Sequence, residues 1–211
     1  MVVAAGSGRR FGGAKQFAEL SGRPVLAWAL DAAAAACDGV VVVVPEGAES
    51  APALLAQCRA AHTVVAGGAT RSASVRAGLH AVPAGVEVVA VHDAARPLTP
   101  LEVWDRVLTA VLSGADAAVP VVAVTDTVKQ VDPDGSSRTL DRSRLVAVQT
   151  PQAFRTELLR RAHAGAPEAT DDAAVVEAIG GRVELVAGDP CNVKITAPTD
   201  VVVAGALLAG Q

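Results

Sequence analysis

The sequence of 211 residues contains no tyrosine, and its aromatic residues amount to only 2%. So few rings leave little on which exposed bases could stack, which argues against a binder of single-stranded nucleic acid. Charge argues the same way: the net charge is -4 and the pI is ≈ 5.5, with no general basic character. Cysteine is scarce as well. Cys37, Cys58 and Cys191 stand far apart and are odd in number, a pattern of neither a disulfide framework nor a zinc site. Cys37 and Cys58 read as small packing residues in helices. No apolar run approaches the length of a membrane span; Val201–Ala209 is nine residues. The N-terminus shows no basic-then-apolar leader. These absences predict a cytoplasmic protein without a nucleic-acid or membrane partner.

What is present is aliphatic. Hydrophobic residues make up 51% of the chain, mostly Ala and Val. That suffices for a substantial core, and the length predicts a single domain, 1–211. Strands are expected at Val2–Ala5, Val40–Val44, Thr63–Val65, Val86–Val91, Ala117–Val124, Leu145–Val148, Arg182–Val186 and, shorter, Asn192–Thr196. Helices are expected at Pro24–Ala36, Ala51–Ala61, Ser72–Ala81, Pro100–Leu112 and Arg155 to about Ala164. Another opens near Thr170, a candidate cap, and a last one is capped by Thr199 or Asp200. Strands apolar on both faces suit a mostly parallel sheet covered by helices on both sides. In such sheets ligands sit beyond the carboxyl ends of the strands.

The residues just after the strands are accordingly the informative ones. Ala4-Ala5-Gly6-Ser7-Gly8-Arg9-Arg10-Phe11-Gly12-Gly13-Ala14-Lys15-Gln16 holds four glycines and three cations, with no acid before Glu19. Backbone N–H groups of such a loop can hold phosphate oxygens, and the cations point to an anionic ligand, most simply a nucleoside triphosphate. The loop matches neither the P-loop nor the dinucleotide fingerprint. Gly67-Gly68 leads into a helix whose first turn carries Ser72 and Ser74; either hydroxyl could serve only as a cap. Asp93, at a strand end in His92-Asp93-Ala94-Ala95-Arg96-Pro97, is placed for a divalent cation or a substrate hydroxyl. Arg96 has a fork suited to phosphate, and the bland alternative is an Asp93–Arg96 salt bridge. His92 reads as a packed or hydrogen-bonded histidine. Thr150 precedes Pro151 in an expected loop, Gln149–Phe154. The paired Asp171 and Asp172 read as acids of a first helical turn.

Residues 126–142 break the rhythm. Pro133-Asp134-Gly135 marks a turn between two polar, alternating strands. A lone hairpin is marginal in water, so this one is expected to pack on something, most naturally a second subunit.

Taken together and in this order, these motifs, with Asp126-Thr127, Thr170–Glu177 and Asn192–Pro198, resemble the 2-C-methyl-D-erythritol 4-phosphate cytidylyltransferases. The resemblance implies a Rossmann-like α/β fold with a protruding hairpin arm that embraces the partner of a homodimer. It implies an enzyme that joins CTP to 2-C-methyl-D-erythritol 4-phosphate and releases pyrophosphate, with Mg²⁺ on the triphosphate. The loop backbone, Ser7 and Gly8 included, with Arg10 and Lys15, looks like the triphosphate cradle. Ala4, Ala5, Gly6, Gly68 and Ser74 resemble the lining of the cytidine pocket. Asp93, Arg96, Thr150 and Lys194 look like the side that takes the phosphorylated alcohol. Lys194 is also near the α-phosphate, and Asp93 is the candidate metal ligand. Thr127 and Arg142 would reach in from the partner's arm. Arg10, Lys15, Lys194 and Arg142 are thus the expected catalytic set. Ala14 stands where the family has proline, and Ala69 where it often has an acid. Two other readings share parts of this pattern: a ribitol 5-phosphate cytidylyltransferase and a catalytically silent nucleotide-binding regulator.

Overall fold

The computed structural model describes residues 1–48 and 63–210. The expected helix Ala51–Ala61, and Cys58 within it, lie outside the described residues. Alternate residues of the valine runs face opposite sides of the sheet, as strand geometry requires. Val2, Val42, Val44 and Ala90 pack with Leu26, Leu30 and Trp104. Val41, Val43, Val89 and Val91 pack on the other side with Val75, Leu79, Phe154, Leu159 and Val176. A sheet apolar on both faces needs cover on both.

The strands are β1 (Val2–Val3), β2 (Glu19–Leu20), β3 (Arg23–Pro24), β4 (Val41–Val44), β5 (Thr63–Ala66), β6 (Val88–Asp93), β7 (Ala117–Ala123), β8 (Lys129–Val131), β9 (Ser137–Thr139), β10 (Val146–Val148), β11 (Gln152–Arg155) and β12 (Val183–Ala187). Among the described residues the main sheet has 8 strands in the order β10-β7-β11-β6-β1-β4-β5, with β12 pairing β7. β1 pairs parallel with β4 and β6, β4 with β5, and β12 with β7. Among the described strands of this sheet only β10 and β11 run against the rest. The helices are α1 (Val25–Ala36), α2 (Arg71–Ala81), α3 (Leu101–Leu112), α4 (Thr156–His163), α5 (Asp172–Ala178) and α6 (Pro198–Ala209). Helices α1 and α3 supply Leu26 and Trp104 to one layer, and α2, α4 and α5 supply Val75, Leu159 and Val176 to the other. This is the α/β fold expected, mostly parallel and covered on both faces.

Local chemistry sets the helix starts. The Thr70 hydroxyl accepts from the Ala73 N–H at 3.1 Å and caps α2, so neither Ser72 nor Ser74 has that task. Asp171, not Thr170, caps α5, accepting from the Ala174 N–H at 3.0 Å. Asp200 sits in the first turn of α6 and accepts from the N–H groups of Thr196 and Ala197 at 2.6 and 2.8 Å.

Three expectations need correction. The segment Gln149–Phe154 is not all loop, because Gln152–Arg155 forms β11 between β6 and β7. Asn192–Thr196 forms no strand: its groups bond to side chains and turns rather than to a ladder. Cys37 is the residue that ends α1 rather than one within it. The hairpin is as expected: β8 pairs antiparallel with β9 and every residue of both strands is exposed.

Candidate active site

Successive crossovers place β4 and β5 on one side of β1 and β6 on the other. The chain therefore opens a crevice beyond the carboxyl ends of β1 and β6, the usual ligand position of such sheets. A cavity of about 400 Å³ lies there. Its walls are Ala4 to Ser7 and Arg9 from the loop after β1, Lys15 and Gln16, Gly68 to Arg71 with Ser74 after β5, Asp93 to Ala95 after β6, and Lys194.

The loop is closed around Gly8. Its carbonyl accepts from the N–H groups of Phe11, Gly12 and Gly13 at 2.9, 3.1 and 3.4 Å. Gly8 has φ +63°, and a Cβ there would fall 1.7 Å from the Gly13 carbonyl oxygen, so only glycine fits. Gln16, buried, reaches back to the Gly6 carbonyl at 3.4 Å. Lys15 donates to the Ile195 carbonyl at 2.6 Å and so ties the loop to the segment that carries Lys194. Burial, then the neighbouring Lys194 and Arg10 charges, lower the Lys15 pKa against the opposing pull of Asp93 and Asp200.

Asp93 is the acid of the cavity lining. Its Oδ2 lies 2.5 Å from Lys194 Nζ and its Oδ1 3.6 Å from Arg71 Nε. Burial alone would raise this carboxyl; Lys194 and Arg71 outweigh it and hold the pKa well below the usual carboxylate range. Arg71 is held in turn by Asp172, Nη1 to Oδ2 at 2.8 Å, and the other Asp172 oxygen meets His163 Nε2 at 3.0 Å. A line of charged and polar groups thus runs from Lys194 through Asp93, Arg71 and Asp172 to the buried His163.

The site residues expected from the sequence divide into two groups. Ala4, Ala5, Gly6, Ser7, Lys15, Gly68, Ser74, Asp93 and Lys194 come together on the cavity, with Gly8 shaping the loop behind it. Ser74, buried, accepts from the Gly68 N–H at 3.2 Å and donates to the Thr70 carbonyl at 2.9 Å, tying the glycine turn to the start of α2. Arg10 is exposed and off the wall, where Arg9 stands instead. Arg96 is buried and directed away: it donates to the carbonyls of Asn192 at 2.6 Å and Val148 at 3.4 Å. It forms no salt bridge with Asp93 among the described residues. Thr150 is buried beneath Asp93, its hydroxyl accepting from the Asp93 N–H at 3.0 Å. Thr127 and Arg142 are exposed at the arm, the Arg142 guanidinium donating to the Thr125 carbonyl; neither lines the cavity of its own chain.

A family model described as 2-C-methyl-D-erythritol 4-phosphate cytidylyltransferase matches residues 1–210. The chain belongs to this family. It is 49% identical to the 2-C-methyl-D-erythritol 4-phosphate cytidylyltransferase of Rhodococcus jostii, over 99% of this chain and 93% of that one. Among solved structures it is similar to the cytidylyltransferase of that name from Thermus thermophilus, with TM-score 0.82, 39% identity and coverage of 99% and 97%. It is also similar to the 4-diphosphocytidyl-2C-methyl-D-erythritol synthase of Anaerococcus prevotii, with TM-score 0.86, 30% identity and coverage of 99% and 96%.

Three contributors escaped the reading of the sequence. Arg71 follows the glycine pair and lines the cavity. Asp172 is not simply a first-turn acid: its side chain is 1% exposed and holds Arg71. His163 backs both. The usable signal was a doubled acid at a helix start together with an arginine beside a glycine pair. Gly67, the first of that pair, has no room for a side chain: a Cβ would lie 2.3 Å from Ala5 Cβ and 2.9 Å from Ser74 Oγ. Gly67→Ala should therefore push the Ala5 wall into the cavity, weakening CTP binding and costing ~1–3 kcal/mol of stability. Isothermal titration with CTP and urea unfolding measure the two effects, and an unchanged affinity would refute the first.

Proposed function

We propose that this chain transfers the cytidylyl group of CTP to the phosphate of 2-C-methyl-D-erythritol 4-phosphate, releasing pyrophosphate. The observation that carries this reading is the cavity beyond β1 and β6, where a glycine loop, Lys15, Lys194, Arg9 and Arg71 surround a single carboxylate. A phosphate oxygen of the acceptor attacks the α-phosphorus. The new P–O bond forms as the α–β bridging oxygen departs with pyrophosphate. The nucleophile is already anionic at neutral pH, so no general base is needed. Asp93 could not act as one, since Lys194 and Arg71 hold its proton affinity far too low.

The barrier lies in bringing two anions into line. Cations and backbone dipoles fixed in advance lower it by positioning and charge stabilisation. Lys15 and Lys194 face the α-phosphate in this reading, with the loop backbone on the triphosphate and Arg10 reaching it from the exposed side of the loop. Asp93 accepts from a hydroxyl of the acceptor. The residues fit Mg²⁺ arriving with CTP. Among the described residues no cluster of three or more His, Cys, Asp or Glu side chains could hold a metal unaided. Asp93 would be the residue to hold such an ion, which would supply charge neutralisation on the triphosphate.

The reading includes a single nucleotidyltransferase domain with the arm 126–142 inserted, and a homodimer. In that dimer Thr127 and Arg142 of the exposed arm contribute to the partner's cavity. It also places the enzyme in the cytoplasm; no helix among the described residues is long and apolar enough to cross a membrane. The test is pyrophosphate release from CTP and Mg²⁺ with 2-C-methyl-D-erythritol 4-phosphate and ribitol 5-phosphate offered separately. Release with the first alone is expected. Release with the second alone would overturn the acceptor, and CTP binding without release would favour a silent binder.

A further inference from the structure

His92 is wholly buried at the end of β6, one residue from the cavity's carboxylate, and its ring lies 5.0 Å from the Trp104 ring. Both ring nitrogens have partners, and the partners determine where the proton sits. Nε2 is 3.0 Å from the Arg96 carbonyl, which can only accept, so Nε2 carries the hydrogen. Nδ1 of the neutral ring is then a bare acceptor, 3.1 Å from the Thr150 hydroxyl. The hydroxyl must donate to it. Its oxygen meanwhile accepts from the Asp93 N–H at 3.0 Å. The Arg96 N–H closes the same turn on the Asp93 carbonyl at 3.0 Å. Every donor in this set meets one acceptor, and the chain of bonds has one consistent direction.

We propose that His92 is a positioning residue for the acceptor side of the site. Its ring, in the Nε2–H tautomer, stitches both ends of the Asp93–Arg96 turn and turns the Thr150 proton inward. Asp93 is thereby held toward Lys194 and Arg71. The Thr150 hydroxyl, buried beneath Asp93, is thereby left with no proton for any other acceptor and serves to fix the Asp93 N–H. A second-row group that fixes the hydrogen-bond direction of its neighbour acts as the outer partners of a metal ligand do. This inference rests on the proposed function for its kinetic consequences, and on geometry alone for the stitch.

The test has two arms. In the protein without substrate, ¹⁵N NMR of the labelled imidazole should show a protonated Nε2 and an unprotonated Nδ1 for His92, assigned by its absence from His92→Phe. The Asp93 amide should exchange much faster in that variant. A protonated Nδ1, or unchanged exchange, would overturn the stitch whatever the enzyme does. In the kinetic arm, His92→Phe should raise the acceptor KM about tenfold while CTP affinity stays within about twofold. His92→Asn, which can return an acceptor near the Nδ1 position, should recover much of the loss. Adding Thr150→Val to His92→Phe should cost no more than the larger single change. An unaltered acceptor KM or an additive double variant would overturn the positioning role. If the parent releases no pyrophosphate with either acceptor, the functional reading fails, and the NMR arm still decides the stitch.

Discussion

Lys15→Ala is expected to lower kcat by about 10²–10³-fold, the usual result of removing one preorganised group that meets developing charge. The same change should leave the unfolding midpoint almost where it is. Lys15 is half-buried with its Nζ on the Ile195 carbonyl, and burial, Lys194 and Arg10 all lower its pKa. A cation with a lowered pKa binds its proton less tightly in the folded state than in the unfolded chain. Its charge therefore opposes folding at neutral pH, and deleting it removes that opposition. Loss of the bond to Ile195 works the other way, and the two effects offset. The site thus stores an excess of positive charge that an arriving triphosphate relieves. Lys15→Arg should restore little, because a planar fork does not replace a compact ammonium in a half-buried niche. Arg10→Ala should act in the same direction. Stopped-time pyrophosphate assays and thermal unfolding of each variant give both quantities. Turnover at the parental rate would remove Lys15 from the mechanism, and collapse of the fold would make its role structural.

The parts of the fold that could be read were those in which local pattern and tertiary place agree. Val41–Val44 is apolar throughout because both its faces are covered, and a run of four valines permits little else. Strand β11 was hidden for the opposite reason. Gln152 and Arg155 sit in it because it is clamped between β6 and β7, and nothing local in Gln-Ala-Phe-Arg announces that. Asn192-Val193-Lys194-Ile195-Thr196 alternates as a strand does, yet Asn192 is wholly buried in a polar knot. It bonds the Thr99 hydroxyl at 2.8 Å, the Thr150 carbonyl at 2.9 Å and Gln149 Oε1 at 3.2 Å. Polar partners outcompeted the ladder. At the site the same division holds. The glycine loop and Asp93 were legible because chemistry at strand ends is conspicuous, whereas Lys194, in a segment that forms no strand, was reached only through the family resemblance. Arg96 stands off the cavity wall on the carbonyls of Asn192 and Val148, because its fork serves carbonyls as well as phosphate. The Arg71–Asp172–His163 set joins residues far apart in the chain, a relation that spacing does not display.

That set carries the second large effect, on stability. Asp172→Ala should cost about 3–5 kcal/mol, read as a lowered urea midpoint at constant m. Exposed ion pairs are worth far less, and the difference here is burial. The Asp172 side chain is 1% exposed and that of His163 2%. Removing the carboxylate leaves the Arg71 guanidinium facing Asp93 alone at 3.6 Å and strips His163 Nε2 of its partner. His163 Nδ1 has none to fall back on among the described residues. Asp172→Asn keeps the shape and one hydrogen bond but not the charge, and should fall between parent and alanine variant. A loss below ~1 kcal/mol for Asp172→Ala would show that water reaches the group and that the pair behaves as a surface one. Replacing Arg71, Asp172 and His163 together by Met, Leu and Leu should recover much of the stability, since apolar groups of like volume can substitute for a buried ionic set. It should not recover turnover. Arg71 lines the cavity, and the apolar set would leave Lys194 as the one ion-pair partner of Asp93 among the described residues. Stability and activity would then separate at one residue, because the ionic set both anchors α5 and keeps a positive charge at the edge of the phosphate cavity.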